Sequence, residues 1–305
     1  MQYPKRRLLW LFALAAAVLG AAPAQARPRI RHVVIVSFDG LRPDAIDAAK
    51  TPTLDRLRRE GAVALNARTI TPSITLPSHA SMLSGVSPAK HKVNWNSYQP
   101  KRGFISVPTC MDIAHHAGLS TAMVVGKKKL TQLARPGQVD LVSNPGHWAK
   151  DVAPGAADYL AKHQPALMFV HFSDPDSAGH RYGWMSAEQL KAIHESDAAL
   201  GIIIKRIEAT KGLRGQTLVI VSADHGGHDR THGTKRLVDM HIPWIAWGAN
   251  VKQGRWEKPV ITYDTAATAL YALGLATPKN WDGKPQKWVF RRAVAPRRRE
   301  VKARR

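Results

Sequence analysis

The chain has 305 residues, 44% of them hydrophobic, with a formal charge of +23 and a single cysteine. That composition suits one large domain or two small ones and excludes a chain disordered over most of its length. One cysteine rules out an internal disulfide, so core packing, with or without bound metals, has to hold the fold.

The first element is residues 1–26. Lys5, Arg6 and Arg7 precede an apolar stretch from Leu8 to Ala22, which ends near Ala24-Gln25-Ala26. Basic region, hydrophobic region and small-residue cleavage site follow in the order of an export signal. The apolar run falls short of the roughly 20 residues needed to span a bilayer. The expectation is a cleaved signal peptide, a mature chain starting near Arg27, and a periplasmic or secreted protein.

Short apolar runs then alternate with helical patterns. Strands are predicted at HVVIVSF (32–38), TAMVVG (121–126), ALMFVHF (166–172), TLVIVSA (217–223) and IPWIAWG (242–248). Continuous β-branched runs of this length suit strands buried on both faces. Helices are predicted at about 52–60, 78–84, 109–117, 152–163, 187–209 and 264–273. The alternation predicts an α/β fold, a three-layer sandwich with a mostly parallel central sheet flanked by helices. No repeat and no Pro-, Gly- or Ser-rich linker divides the chain before about residue 290, so 27–290 reads as one domain. Cys110, in VPTCMDIAHHAG, opens a helical pattern and reads as a small buried residue, not a reactive thiol.

The chemistry-bearing residues follow the predicted strands. Asp39 lies one residue after the first strand, and Asp176 and His180 follow the strand 166–172. The loop VSADHGGHDRTHGT (221–234) crowds Asp224, His225, His228, Asp229 and His232 into nine positions. In open α/β sheets ligands bind at the carboxyl ends of strands, and Asp with neutral His is a preferred donor set for zinc and its neighbours. A separate segment, TITPSITLPSHASMLSG (69–85), sets Thr75 before Pro77 and a predicted helix start. Free amides there attract an anion, and a hydroxyl beside them can attack phosphorus. Plain N-capping by Thr75 or Ser78 is the competing explanation of that segment alone.

Taken together, these motifs resemble the alkaline phosphatase superfamily, specifically its nucleotide pyrophosphatase and type I phosphodiesterase branch. The resemblance rests on the strand followed by DG at Asp39, TLPSHASMLSG around Thr75, DPDSAGHRYG, ADHG and the closing THG, and it covers nearly the whole mature chain. It implies that Asp39, Thr75, Asp224 and His225 surround one divalent metal and that Asp176, His180 and His232 hold another. Zinc suits the mixed donors, and manganese would be tolerated. It also implies that Thr75 is the nucleophile and that Asn96, with Asn94 as rival, steadies a phosphoryl oxygen. His228 competes with His232 as a ligand, with the pattern favouring His232, and His79 is expected to pack inside the domain rather than serve as a base.

The resemblance thins in two places. Only six residues separate His225 from His232, where larger diesterases of the branch carry a long insertion, so the substrate pocket is expected from 94–108, 127–150 and 180–190. Sulfatases share the fold but use a modified Cys or Ser in C/S-x-P-x-R, whose outer positions are Thr75 and His79 here. The expected activity is an exported, metal-dependent phosphodiesterase, with a phosphomonoesterase or phosphonate hydrolase as the alternative and a polyanion-binding envelope protein as the non-enzymatic one. Diesters are expected to be preferred, because the helix beside Thr75 carries no Arg or Lys, although Arg42, Lys90 and Lys92 lie near the motifs in sequence. The last element, RRAVAPRRREVKARR (291–305), holds eight Lys or Arg and one Glu. It reads as a disordered arm that contacts polyanions or an anionic membrane surface without sequence-specific nucleic-acid recognition.

Overall fold

The computed structural model describes residues 30–297. The expected signal peptide and the last eight residues of the basic arm lie outside the described residues. Among the described residues eight strands form one sheet: β1 (His32–Phe38), β2 (Ala62–Arg68), β3 (Thr121–Val125), β4 (Leu141–Ser143), β5 (Leu167–Phe172), β6 (Thr217–Ser222), β7 (Trp244–Gly248) and β8 (Gly254–Ile261). Their order is β4-β3-β5-β1-β6-β7-β2-β8, and only β7 runs against the rest. β1, β3, β5 and β6 are buried along their whole length. This is why they read as unbroken apolar runs rather than as alternating ones.

Ten α-helices among the described residues accompany the sheet: α1 (Pro43–Ala48), α2 (Pro52–Glu60), α3 (Thr75–Ser84), α4 (Pro88–His91), α5 (Cys110–His116), α6 (Ala149–His163), α7 (Asp174–Tyr182), α8 (Ala187–Ala209), α9 (Leu237–Met240) and α10 (Asp264–Ala272). The long α8 packs on α1, α2, α6 and α7 to make one outer layer, while α3, α4, α5 and α10 pack together as the other. The result is the expected three-layer α/β sandwich. Cys110 is buried at the start of α5, and burial pushes its thiol pKa up, which removes it from thiolate chemistry.

Two helices matter for the site and differ from the sequence expectation. α3 starts at Thr75, three residues early, with Ile74 as its N-cap and no side-chain cap. Pro77 permits this because the amide at the third helical position has no intrahelical partner to lose. α7 covers a stretch for which no helix was predicted, opened by Pro175 with Asp174 and Asp176 in its first turn. At the other end, Arg291 bonds to Asn250, Val294 to the Tyr271 hydroxyl and Arg297 to Gly274, so the chain continues along the domain through residue 297. No helix among the described residues is long and apolar enough to cross a membrane.

Candidate metal centre and nucleophile

Parallel strands deliver the site to one sheet edge. Asp39 follows β1, Lys127 follows β3, Asp176 sits in the first turn after β5, and Asp224 and His225 follow β6. Two donor groups result. Asp39, Asp224 and His225 each offer an atom within 4.8 Å of the others, and so do Asp176, His180 and His232. Asp176 and His180 are four apart on α7, which puts both side chains on one helical face. The structure therefore brings together all six predicted Asp and His donors, while His228 bonds to Asp239 at 2.7 Å outside both groups.

The imidazole tautomers can be read from their neighbours. Nδ1 of His225 faces the Gly226 carbonyl at 2.8 Å, Nδ1 of His180 the Arg230 carbonyl at 3.0 Å, and Nδ1 of His232 the Ser73 carbonyl at 2.9 Å. A carbonyl oxygen only accepts, so each Nδ1 carries a proton, and in the neutral ring Nε2 presents a lone pair. Burial lowers the pKa of His225 to about 3 and depresses that of His232 as well, so both rings stay neutral.

The carboxylates show the same division. Asp39 accepts through Oδ2 from His171 and Lys127, both at 2.8 Å, Asp224 accepts through Oδ1 from the Gly40 amide at 3.0 Å, and Asp176 accepts through Oδ2 from Lys127 at 2.5 Å. The remaining oxygens, Asp39 Oδ1, Asp224 Oδ2 and Asp176 Oδ1, are buried with no hydrogen-bond partner. Each faces imidazole lone pairs: His225 Nε2 is 3.5 Å from Asp39 Oδ1 and 3.2 Å from Asp224 Oδ2, and Asp176 Oδ1 is 3.4 Å from His180 Nε2 and 3.5 Å from His232 Nε2. His180 and His232 set their Nε2 atoms 3.1 Å apart. Acceptors facing acceptors at these distances repel unless a cation lies between them, most strongly around the fully buried Asp39, Asp224 and His225. Donors on a tetrahedral zinc stand roughly 3.3 Å from one another, so the residues present fit two divalent ions.

Charge points the same way. The half-buried ammonium of Lys127 pairs with two of the three buried carboxylates, Asp39 and Asp176, and leaves the third, Asp224, without an ion pair to it. Burial pushes Asp39 up, but Lys127 and His171 outweigh it and hold its pKa well below the usual range. Burial and the Asp39 charge push Asp224 well above that range, the response of a carboxylate short of countercharge.

Thr75 opens α3 with its hydroxyl 3.5 Å from His225 Nε2, beside the first donor group. The Leu76 amide donates to Asn96 Oδ1 at 2.9 Å, which ties Asn96 to the helix start. Asn94, the rival, accepts instead from Arg102 at 3.3 Å. His79 donates through Nδ1 to the Thr75 carbonyl at 2.9 Å and pairs through Nε2 with the Ser37 hydroxyl at 2.8 Å, a packing role. Gly40 closes the arrangement at φ +74°, with its missing side chain leaving room for Asp176, 3.1 Å from where a Cβ would stand. A left-handed backbone pressed against a neighbour is a glycine position.

Comparison with known proteins gives the family. The model of the type I phosphodiesterase / nucleotide pyrophosphatase family matches residues 33–255. The chain belongs to this family. Among curated members, the human ectonucleotide pyrophosphatase/phosphodiesterase family member 7 is 25% identical over 253 residues, covering 72% of this chain and 53% of that protein. The chain thus spans little more than half the length of such relatives. Among solved structures, an inactive Thr-to-Ala variant of murine ectonucleotide pyrophosphatase/phosphodiesterase 5 in complex with AMP superposes with a TM-score of 0.71 at 15% identity, covering 85% of this chain and 98% of that one. A multiply substituted alkaline phosphatase, PafA, reaches 0.70 at 14% identity, covering 87% of this chain and all of its own. At such identities these two likenesses establish the alkaline phosphatase-like fold.

Sequence reasoning missed Lys127, Lys129 and His171. The triplet Lys127-Lys128-Lys129 follows β3 on the same edge as the donors, and that position was the available signal. The cations nearest the motifs in sequence are engaged elsewhere: Arg42 pairs with Asp44 at 2.5 Å, and Lys90 pairs with Asp282. An open bowl of about 500 Å³ adjoins the lysines and is lined by Tyr98, Lys127, Lys128, Lys129, Asn144 and His147 among others. It draws on two of the three segments expected to build a pocket.

Proposed function

We propose that the chain is a metal-dependent hydrolase of phosphoric esters that uses Thr75 as its nucleophile at a two-metal site. The observation that carries this reading is the pairing of three unpartnered buried carboxylate oxygens with three imidazole lone pairs, one of which also faces the Thr75 hydroxyl. Asp39, Asp224 and His225 would hold one ion and Asp176, His180 and His232 the other, with zinc the best match to the donors and manganese tolerated. Such ions, when bound, supply positive charge that favours an alkoxide over a hydroxyl and offsets charge on the leaving oxygen.

The chain's own residues do the rest. Thr75 Oγ1, its proton released to solvent, attacks phosphorus as the bond to the leaving ester oxygen breaks and that oxygen takes up a proton; the resulting phosphoryl-threonine, which for a diester keeps the second ester group, is then hydrolysed by water. Asn96 has its Oδ1 occupied by the Leu76 amide, which leaves its NH2 group to donate to a non-bridging phosphoryl oxygen. The α3 helix start adds amide dipoles for the same group. Diester cleavage, the reaction for which the family is named, and monoester cleavage can both run through this threonine.

Export to the periplasm or exterior is part of the proposal and rests on residues 1–26. Contact of the basic arm with polyanions or an anionic membrane surface rests likewise on its composition. Assay of purified, zinc-loaded protein against p-nitrophenyl phosphate and its bis ester, with and without chelator, tests the central reading. Hydrolysis of either that chelator abolishes and zinc restores is expected; metal-independent turnover, or none with two ions bound, would overturn it.

A further inference from the structure

The charge around the phosphoryl group decides how many ester groups phosphorus can carry, because a monoester approaches two negative charges and a diester carries one. Lys129 Nζ donates to Asn96 Oδ1 at 3.0 Å, and the same oxygen accepts from Leu76, the residue after the nucleophile. Lys127 is committed to Asp39 and Asp176, but Lys129 pairs with no carboxylate among the described residues. No carboxylate lines the bowl beside it.

We propose that Lys129, held by Asn96 next to Thr75, reads the second negative charge of a phosphate monoester, so that this chain favours monoesters over diesters. The inference rests on the hydrolase reading above and departs from the diester preference expected from the helix alone. A dianion gives the Lys129 ammonium an anionic oxygen to pair with, whereas a diester presents there an uncharged ester oxygen, a poorer acceptor carrying extra bulk. Burial and the neighbouring Lys127 already penalise the Lys129 charge, and a second anionic oxygen relieves that penalty. Lys129 thus discriminates between esters while Thr75 performs the same attack on both.

The test compares kcat/KM for p-nitrophenyl phosphate and methyl p-nitrophenyl phosphate in the zinc-loaded full chain, in Lys129→Ala and in Lys129→Arg. Binding of inorganic phosphate to each is measured by calorimetry. The wild-type chain should favour the monoester. Lys129→Ala should reduce the monoester-to-diester ratio on the order of 10- to 100-fold and weaken phosphate binding by a similar factor, the range for a lost charge-assisted hydrogen bond. Lys129→Arg should recover most of both. A wild-type diester preference, or equal losses on both esters, would overturn the proposal. Failure to cleave either ester would instead sink the hydrolase reading, and phosphate affinity unchanged in Lys129→Ala would then dispose of the Lys129 role too.

Discussion

The imidazoles of His225 and His232 stack at 3.7 Å between centroids and 13° between planes, although each ring belongs to a different donor group. The two groups therefore share a wall. His225→Ala should remove a donor from one and the packing support of the other. Elemental analysis after dialysis should show a fall from about two zinc ions to one or fewer, and a competing chelator should reveal an affinity for the remaining ion lower by roughly 10- to 100-fold. Retention of two tightly held ions would contradict the shared wall.

Thr75→Ala should abolish turnover, by at least about 1000-fold in kcat, while the fold and the metal content persist, because six other donors remain. Ser73 and Ser78 lie close in sequence but donate to the Thr234 carbonyl and accept from the Thr69 hydroxyl, respectively. Their alanine variants should cost about 1 kcal/mol of stability and only a few-fold in rate. Rate and melting measurements on the three variants check the assignment; an inactive Ser78→Ala beside an active Thr75→Ala would reverse it.

Acid should destabilise the metal-free protein. Burial depresses the pKa of His79, His171 and His232, and that of His225 to about 3. Unfolded, these rings take up protons near pH 6.5, so below that value the unfolded state binds more protons and stability falls toward pH 3. His225 alone contributes a slope of about 1.4 kcal/mol per pH unit in that window. Asp224 opposes it, as do Asp174, Asp197 and Asp264, since a raised pKa gives stability at low pH that is lost as pH rises, but depressed imidazoles outnumber them once His32, His91 and His147 are added. Denaturant melts in chelator between pH 7 and 5 should show the decline, shallower in His225→Gln. A flat profile would mean that the rings are not held neutral.

Ending the chain at 297 or at 290 should have different effects. The shorter form loses the bonds of Arg291 and Arg292 to Asn250, of Val294 to Tyr271 and of Arg297 to Gly274, a loss of about 1–3 kcal/mol. The longer form should keep the wild-type melting temperature and keep its rate on small esters within a few-fold. Both should leave a cation exchanger at lower salt than the full chain. Unfolding of the 297-residue form would make the terminal arm a structural element.

The sheet was legible where strands are buried on both faces. β1, β3, β5 and β6 appear as unbroken apolar runs because neither face meets water. β2 and β8 were not, since Asn66 and Arg68 interrupt the first and the second is a half-exposed edge containing Pro259. α7 was missing from the predicted helices because DPDSAGHRY is rich in turn residues, yet Pro175 near its start and the acidic first turn are helix-opening signals. Asp and His donors were readable because metal chemistry restricts residue type. Lys129 was not, because its role depends on a contact with Asn96 thirty-three positions away, and one chain read alone carries no trace of such pairings.

Lys127 has a consequence for how the protein comes to be loaded. Its ammonium bridges Asp39 and Asp176, supplying countercharge to two of the three buried carboxylates before any ion arrives. Zinc fingers, by contrast, do not fold until metal binds, because the binding free energy is their folding free energy. Here the chain is expected to assemble first and be metallated afterwards, which would make maturation a matter of ion supply in the compartment where the finished fold resides. Metal-free protein refolded from denaturant should then regain a cooperative melt, and zinc added last should restore turnover without a further folding phase.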